Sequence, residues 1–254
     1  MAGAVLTERR GQVLVITLNR PDARNAVNAE LAQGVATALD ELDGERELSV
    51  GVLTGAGKGF CAGMDLKAFV QGESPHVDGR GFAGIAQQPP RKPLIAAIEG
   101  FAVAGGLEVA LACDLIVAAS GAKLGIPEVK RSLVAAGGAL LRLPRRIPYH
   151  AAMELALTGE PITAERGAEL GLVNRVTEPG GALDGALELA ATVARNAPLA
   201  LEASKRILVE APGWAEDEAW QRQGEISGPV FVSEDAREGA TAFAEKRDPV
   251  WKGK

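Results

Sequence analysis

The sequence predicts an α/β fold in which a mostly parallel sheet lies beneath covering helices. Short apolar runs recur along the first half of the chain without the alternation of a half-exposed strand, and stretches with helical spacing lie between them. Such unbroken runs are typical of parallel strands that are buried on both faces. The predicted strands are 13–18, 49–53, 94–98 and 115–119.

The helices are predicted from apolar spacing and from capping residues. After the first strand, Asn25 or Asn28 is expected to cap a helix whose apolar face is formed by Leu31, Val35, Leu39 and Leu42. A second helix is expected around 107–113. Beyond residue 196 the pattern is helical throughout, which divides the chain into a core, 1–195, and a helical region, 196–254. The helices predicted there are 199–209, 214–226 and 233–245, separated by Pro212-Gly213 and Gly228-Pro229.

One segment, 71–90, lacks this regularity. It is rich in glycine, proline and glutamine and shows little periodicity. Long irregular segments of compact domains are often mobile or line a site. We therefore expect a variable flap beside a pocket.

Composition excludes several functional classes. The 254 residues are 47% hydrophobic, which is enough for a substantial core, and the net charge of −6 without a basic block argues against a nucleic-acid partner. Cys61 and Cys113 form no CxxC motif, so we expect no disulfide framework or metal site, and small apolar packing in a reducing compartment. The N-terminus becomes charged too early for a signal peptide, and Glu108 and Asp114 interrupt the longest apolar stretch. We expect a soluble, cytoplasmic protein without membrane contact.

Two carboxylates, Glu108 and Glu128, are the candidate catalytic groups. Glu108 follows Gly105 and Gly106 at the predicted start of a helix, where backbone amides bind anions, and Glu128 follows Pro127. Carboxylates beside such amides can move protons next to a carbonyl group. The alternatives are structural: Glu108 in an ion pair, and Glu128 as a first-turn glutamate paired with Lys130 or Arg131.

The segment GAGKGFCAGMDL, 55–66, is the second candidate for anion binding. A phosphate-binding P-loop is excluded because Lys58 precedes glycine instead of serine or threonine, and the match to a dinucleotide-binding motif is weak. The segment is either a loop that presents the Ala62 amide to an oxyanion or an ordinary glycine turn.

His76 and His150 are expected at the surface or in packing. Asp114 is expected in a structural hydrogen bond, and Lys246 with Arg247 on a solvated face.

Taken together, these segments resemble the crotonase (enoyl-CoA hydratase/isomerase) superfamily. The matching pieces span nearly the whole chain: NRPDARNAVN (19–28), GKGFCAGMDLKAF (57–69), EGFAVAGGLEVALACDLIVAA (99–119), LGIPEVKRSLVAAGG (124–138), LTGEPITAERGAELGLVNRV (157–176) and AFAEKRDPV (242–250). The resemblance implies a repeated β-β-α spiral core, a C-terminal helical region used for trimerisation, and a homotrimer or dimer of trimers. It also implies an acyl-CoA thioester as ligand.

Position by position, the resemblance implies an oxyanion hole from the Ala62 and Gly105 amides and catalysis by Glu108 and Glu128. The coenzyme A contacts that it implies are at Arg24, Ala62, Asp65, Leu66, Lys67, Phe243 and Lys246. Phe243 and Lys246 would reach a neighbouring subunit. The chain departs from the family pattern at Ala104, where a glycine is common, and at Val134-Ala135, where Pro-Gly is common; both changes put short-chain specificity in doubt.

Both glutamates together favour reversible hydration of a 2-trans-enoyl-CoA, in which no metal or other cofactor is needed. Alternative functions are a Δ3,Δ2-enoyl-CoA isomerase, a hydratase or lyase for an unusual acyl group such as a carnitinyl or aromatic one, and a non-catalytic acyl-CoA-binding protein. The sequence leaves the acyl group, the stereochemistry and the pathway open.

Overall fold

A computed structural model describes residues 3–254 and contains three sheets. The strands are β1 (Val5–Arg10), β2 (Val13–Leu18), β3 (Val50–Gly55), β4 (His76–Val77), β5 (Gly81–Phe82), β6 (Leu94–Ile98), β7 (Phe101–Val103), β8 (Leu115–Ala119), β9 (Lys123–Gly125), β10 (Ile162–Thr163) and β11 (Arg175–Thr177). The main sheet has the order β1-β2-β3-β6-β8-β11, and only β1 is antiparallel to its neighbour. The four predicted strands are confirmed as β2, β3, β6 and β8.

Ten α-helices connect and cover these strands within the described part of the chain. They are α1 (Ala29–Gly44), α2 (Leu66–Val70), α3 (Gly105–Ala112), α4 (Ala139–Arg146), α5 (Tyr149–Thr158), α6 (Ala164–Glu169), α7 (Ala182–Ala194), α8 (Pro198–Glu210), α9 (Ala219–Phe231) and α10 (Glu234–Glu245). A second sheet, β10-β9-β7, lies beside the main one, and β4 pairs with β5 as a hairpin. The strand pairs followed by helices confirm the predicted α/β class.

Both faces of the main sheet are buried, which explains its unbroken apolar strands. One face belongs to a large core that includes α1, α3 and α4. The other packs against α7, whose small side chains allow close approach to the sheet. The residues of that second layer are Val13, Val15, Val50, Val52, Ile95, Ala97, Val117, Ala186, Ala190 and Ala194.

Helix α1 begins at one of the two asparagines that the sequence offers. The Asn28 side chain accepts a hydrogen bond from the Leu31 amide at 3.1 Å, as a helix cap does. Asn25 does not cap this helix and is fully buried. Its side chain accepts from the Arg20 amide and donates to the carbonyls of Ala56 and Gly59, each at 2.9 Å. Asn25 therefore ties the segment after β2 to the loop after β3.

The predicted irregular flap, 71–90, is instead built around the β4–β5 hairpin and packs on α1. Phe82, Ala83 and Ile85 are buried there. Gly84, with a φ of 69°, permits the approach, because an added Cβ would lie 2.3 Å from the Ala32 carbonyl oxygen of α1. Local composition gave no indication of this packing, since the apolar residues of the segment do not alternate.

The C-terminal region contains the three expected helices, but the middle one is shifted. The prediction of 214–226 is wrong: α9 begins at Ala219 and runs past Gly228 and Pro229 to Phe231. Pro229 lies in the last turn of α9, where it removes one backbone donor without ending the helix. The predicted break at Pro212-Gly213 is confirmed, as a single turn of 3-10 helix at Ala211–Gly213.

Helix α8 is attached to the core by an ion pair. The Lys205 ammonium lies 2.6 Å from the Asp114 carboxylate and also donates to the Lys92 carbonyl at 2.9 Å. Asp114 accepts in turn from the Leu94 amide at the start of β6, as expected for a structural hydrogen bond. The pair thus links the C-terminal helices to the central sheet.

Replacing Lys205→Met should lower the free energy of unfolding by about 1–2 kcal/mol, because it leaves the Asp114 carboxylate, whose side chain is only 25% exposed, without its counter-charge. Urea denaturation of the full chain measures this. The matched control is Arg206→Met, which breaks an exposed pair with Glu210 on the same helix and should change stability by less than about 0.5 kcal/mol. Equal effects of the two changes would contradict the anchoring role.

Candidate active site

Two isolated strand-like pairings hold the loop after β3 against the rest of the site. Cys61 pairs with Ala102 of β7, and Met64 pairs with Val27 ahead of α1. The Cys61 amide donates to the Phe101 carbonyl and the Cys61 carbonyl accepts from Val103. The loop between β3 and α2 is therefore fixed along most of its length, and it passes directly beside the start of α3.

At that point the two backbones are in contact. A Cβ added to Gly63 would lie 2.9 Å from the Gly105 nitrogen, and Gly63 has a φ of 94°, which glycine adopts readily. The amides of Met64 and Gly105 have no hydrogen-bond acceptor within residues 3–254. Gly105 opens α3, where amide direction and helix dipole both favour an anion. These two amides form a candidate oxyanion site.

The predicted donor at Ala62 is wrong in this arrangement. The Ala62 amide donates to the Arg24 carbonyl at 3.1 Å and is not free for a ligand. Arg24 has a φ of 53°, and this bend directs its carbonyl towards the loop. Two residues further along, the Met64 amide is available. The sequence does not distinguish the two positions, because the difference depends on a tertiary hydrogen bond.

The residue before α3, Ala104, is held in an unfavourable backbone conformation. Its φ is 53° and its ψ is −133°, a region that glycine occupies more easily than alanine. Its amide donates to the Gly125 carbonyl of β9 at 2.9 Å, which fixes the first turn of α3. The departure from the family pattern at Ala104 therefore stores strain beside the candidate oxyanion site.

Glu108 lies in α3 with only 4% of its surface exposed. One carboxylate oxygen accepts from the Ala139 amide at 3.1 Å. Gly137 makes room for the other, because a Cβ there would lie 2.5 Å from it. Burial raises the pKa of Glu108, the Ala139 amide opposes this, and repulsion from Glu128 raises it further. Glu108 has no ion pair within the described residues, so the structural alternative is not supported.

Glu128 is in the first turn of a 3-10 helix, Pro127–Arg131. One of its carboxylate oxygens is buried and has no hydrogen-bond partner among the described residues. Burial raises the pKa of Glu128, opposed by its own backbone and by the charge of Arg131. Lys130, one of the expected partners, pairs instead with Glu160 at 2.5 Å. Glu128 is half-buried as a whole, and a buried carboxylate oxygen without a partner is typical of a functional group.

A cavity of about 490 Å³ brings these groups together. Its wall includes Glu108, Glu128 and Gly105, and its remaining lining is mainly apolar. The other residues that line it are Arg24, Ala62, Met64, Leu66, His76, Phe82, Val103, Ala104, Pro127, Arg131, Leu133, Val134, Ala136 and Gly137. The segment 71–90 thus lies beside the pocket, as expected, although it is folded.

The predicted coenzyme A residues differ in their positions relative to the cavity. Arg24, Ala62 and Leu66 line it, whereas Lys67 does not. Asp65 has a structural role: it caps α2 through the Lys67 and Ala68 amides and pairs with Arg20 at 3.0 Å. Phe243 and Lys246 lie on and just after α10 and do not line the cavity of their own chain, and Phe243 is 88% exposed.

The sequence did not identify His76 as a lining residue; it is exposed, as expected, but it also borders the cavity. Its ring lies edge-on to that of Phe82, with centroids 5.8 Å apart, and both line the cavity. The two residues face each other across the β4–β5 hairpin. No local signal identifies His76, because only the hairpin brings it to the site.

Cys61 and Cys113 are free and buried, as expected, and burial raises the pKa of each thiol to about 12.

Two carboxylates with raised pKa values and two unpartnered amides on the wall of one cavity are typical of proteins that transfer protons next to an anionic carbonyl oxygen. The sequence profile of the enoyl-CoA hydratase/isomerase family matches residues 8–254, and the chain belongs to that family. Within residues 3–254, no helix has the length and apolar character needed to cross a membrane.

Known relatives agree with this assignment. The chain is 45% identical to enoyl-CoA hydratase EchA19 of Mycobacterium tuberculosis, over 96% of this chain and 94% of the relative. It is 41% identical to carnitinyl-CoA dehydratase of Salmonella arizonae, over 100% of both chains. A crystal structure of an enoyl-CoA hydratase from Mycobacterium tuberculosis H37Rv matches with a TM-score of 0.98 and 58% identity, over 100% of both chains. This match confirms the predicted fold class.

Replacing Glu128→Gln should stabilise the protein at neutral and alkaline pH. A raised folded-state pKa means that stability is lost as the pH rises from the ordinary glutamate value of 4.5 through the folded pKa, and glutamine avoids this loss. We expect a gain of about 1 kcal/mol near pH 8 that disappears near pH 4. Thermal unfolding at both pH values measures it, with the exposed Glu154→Gln as control. A lower stability near pH 8 would contradict the unpaired, buried state of Glu128.

Proposed function

We propose that the chain is an enoyl-CoA hydratase, which adds water reversibly to a 2-trans-enoyl-CoA thioester to give a 3-hydroxyacyl-CoA. The observation that carries this proposal is a pair of glutamates with raised pKa values, Glu108 buried and Glu128 half-buried, on the wall of one cavity that also includes two unpartnered amides. Membership of the hydratase/isomerase family supports it.

The amides of Met64 and Gly105 would bind the thioester oxygen. As water attacks the β-carbon, negative charge develops on this oxygen in an enolate-like transition state. Fixed donors strengthen their hydrogen bonds as this charge grows, and one such donor typically contributes about 3–4 kcal/mol. Met64 replaces Ala62 in this role because the Ala62 amide is occupied by Arg24.

The glutamates would divide the proton transfers. Glu108, as carboxylate, accepts hydrogen bonds from amides that hold it in place, and it takes the proton of the attacking water. Glu128, whose burial favours the protonated form, delivers a proton to the α-carbon. In dehydration the roles reverse. This chemistry needs no metal or redox cofactor, since coenzyme A enters as part of the substrate.

Arg24 and Leu66 at the cavity are proposed to contact coenzyme A, with Lys67 nearby on α2. Phe243 and Lys246 are proposed to reach the coenzyme A of a neighbouring subunit, since they do not line their own cavity and Phe243 is exposed. The acyl-CoA is the expected partner, and the net charge of −6 disfavours nucleic acid. Two free, buried cysteines support a reducing, cytoplasmic location.

The region 196–254 is proposed to be a separate helical unit that forms a homotrimer or a dimer of trimers. Helices α8 and α9 contain no buried residue, and large apolar side chains remain exposed, including Trp220 at 81% and Phe231 at 79%. Exposed aromatic groups of this kind are typical of subunit interfaces. Sedimentation equilibrium of the full chain tests this proposal; a mass of one chain would contradict it.

A hydro-lyase for an unusual acyl group remains the second candidate, since a carnitinyl-CoA dehydratase is among the relatives. It would use the same two glutamates and amides. An isomerase would need only one proton-shuttling carboxylate, and a silent binding protein would need neither. The described site, with both carboxylates in the cavity, favours hydration.

Incubation with crotonyl-CoA should give a product heavier by one water, and Glu108→Gln and Glu128→Gln should each lower kcat/KM by at least about hundredfold. Binding of butyryl-CoA, which cannot react, should survive both changes, and the exposed Glu154→Gln should retain full activity. Mass spectrometry and calorimetry provide the two measurements. Isomerisation would add no mass, and near-normal turnover in either variant would overturn the role assigned to that residue.

A further inference from the structure

A second cavity, of about 620 Å³, adjoins the catalytic one. The two share four lining residues: His76, Phe82, Ala136 and Gly137. The four shared residues form the boundary between the two cavities, so an acyl group that extends past Phe82 and Gly137 would enter the second one. A short acyl group, by contrast, would leave this space unused.

The charge of the second cavity is one-sided. Three arginines of α4, Arg142, Arg145 and Arg146, line it, and no acidic side chain does. Within residues 3–254 none of the three forms an ion pair. Arg142 donates to the Ala86 carbonyl at 2.6 Å and Arg146 to the Cys113 carbonyl at 3.5 Å, whereas Arg145 makes no hydrogen bond.

The rest of the lining is largely apolar. Leu141 of α4 contributes on one side, and Leu208, Val209 and Pro212 contribute from α8 and the turn after it. Arg145 and Arg146 are exposed and Arg142 is half-buried, and positive charges grouped this closely repel each other. Burial and the charge of Arg146 lower the pKa of Arg142, and the charge of Glu108 opposes this. An anionic group placed here would relieve the repulsion among the three arginines.

We propose that the second cavity receives the distal end of the acyl chain and favours substrates that end in a carboxylate, such as the mono-CoA thioesters of medium-chain dicarboxylic acids. This inference rests on the proposed function, because it assigns the acyl group of the same reaction. The thioester lies at the Met64 and Gly105 amides, the chain runs between Phe82 and Gly137, and the terminal carboxylate pairs with the arginines of α4. Planar guanidinium groups bind carboxylates with two parallel hydrogen bonds.

Binding of two saturated, unreactive ligands tests the charge preference. Calorimetry should show that the mono-CoA thioester of decanedioic acid binds about tenfold or more tightly than decanoyl-CoA, as expected for one charge-assisted contact. Arg145→Gln should remove most of this preference, because Arg145 has no protein partner to replace. The control Arg175→Gln, an exposed arginine of β11 outside both cavities, should leave it unchanged. Equal affinities for the two ligands, or a preference that survives Arg145→Gln, would overturn the proposal.

A second pair of variants tests the path of the chain. Leu141→Trp fills the second cavity and should weaken decanoyl-CoA binding severalfold without changing the hydration of crotonyl-CoA. Leu140→Trp, the neighbouring residue that lines neither cavity, should affect neither. If Leu141→Trp leaves both long-chain ligands unaffected, the acyl group does not enter this cavity. If the unmodified protein does not hydrate crotonyl-CoA, the proposed function is contradicted. The binding data would still show whether the second cavity prefers a terminal carboxylate.

Discussion

The contact between Gly63 and the start of α3 is the constraint on which the site depends. A side chain at Gly63 would displace the Gly105 amide, and a Cβ at Gly106 would lie 2.1 Å from the Cys61 carbonyl oxygen. These glycines let two backbones meet without regular sheet pairing. The result is a pair of amides, at Met64 and Gly105, without acceptors in the described chain. Both residues line the cavity, where their amides can donate to an anionic ligand.

The same arrangement explains the state of the carboxylates. Amides at the oxyanion site attract negative charge, whereas burial of Glu108 and Glu128 opposes it, so that their pKa values rise. The pKa of each glutamate is therefore closer to neutral pH, where a carboxyl group can both accept and donate a proton. The unpaired oxygen of Glu128 destabilises the empty site, which is the usual relation between stability and function. Strain at Ala104 adds to this effect.

Local patterns predicted much of the fold. Unbroken apolar runs located β2, β3, β6 and β8, and periodicity located α1, because both features depend on neighbours in sequence. The pairing of Glu108 with Glu128 was also predicted, from the glycines and proline that precede them. What was missed depends on distant contacts: the hairpin that brings His76 to the cavity, the continuation of α9 through Pro229, and the hydrogen bond from Ala62 to Arg24. The residue types at these positions do not indicate which distant part of the chain they contact.

The central claim is that two fixed amides polarise the thioester carbonyl. The most direct measurement is the isotope-edited infrared spectrum of an enoyl-CoA, labelled with carbon-13 at the thioester carbon and bound to the inactive Glu128→Gln variant. Two donors at the oxygen should shift the carbonyl stretch to clearly lower frequency than in water, because charge moves onto the oxygen. A stretch at the same frequency as that of the free thioester would contradict the account.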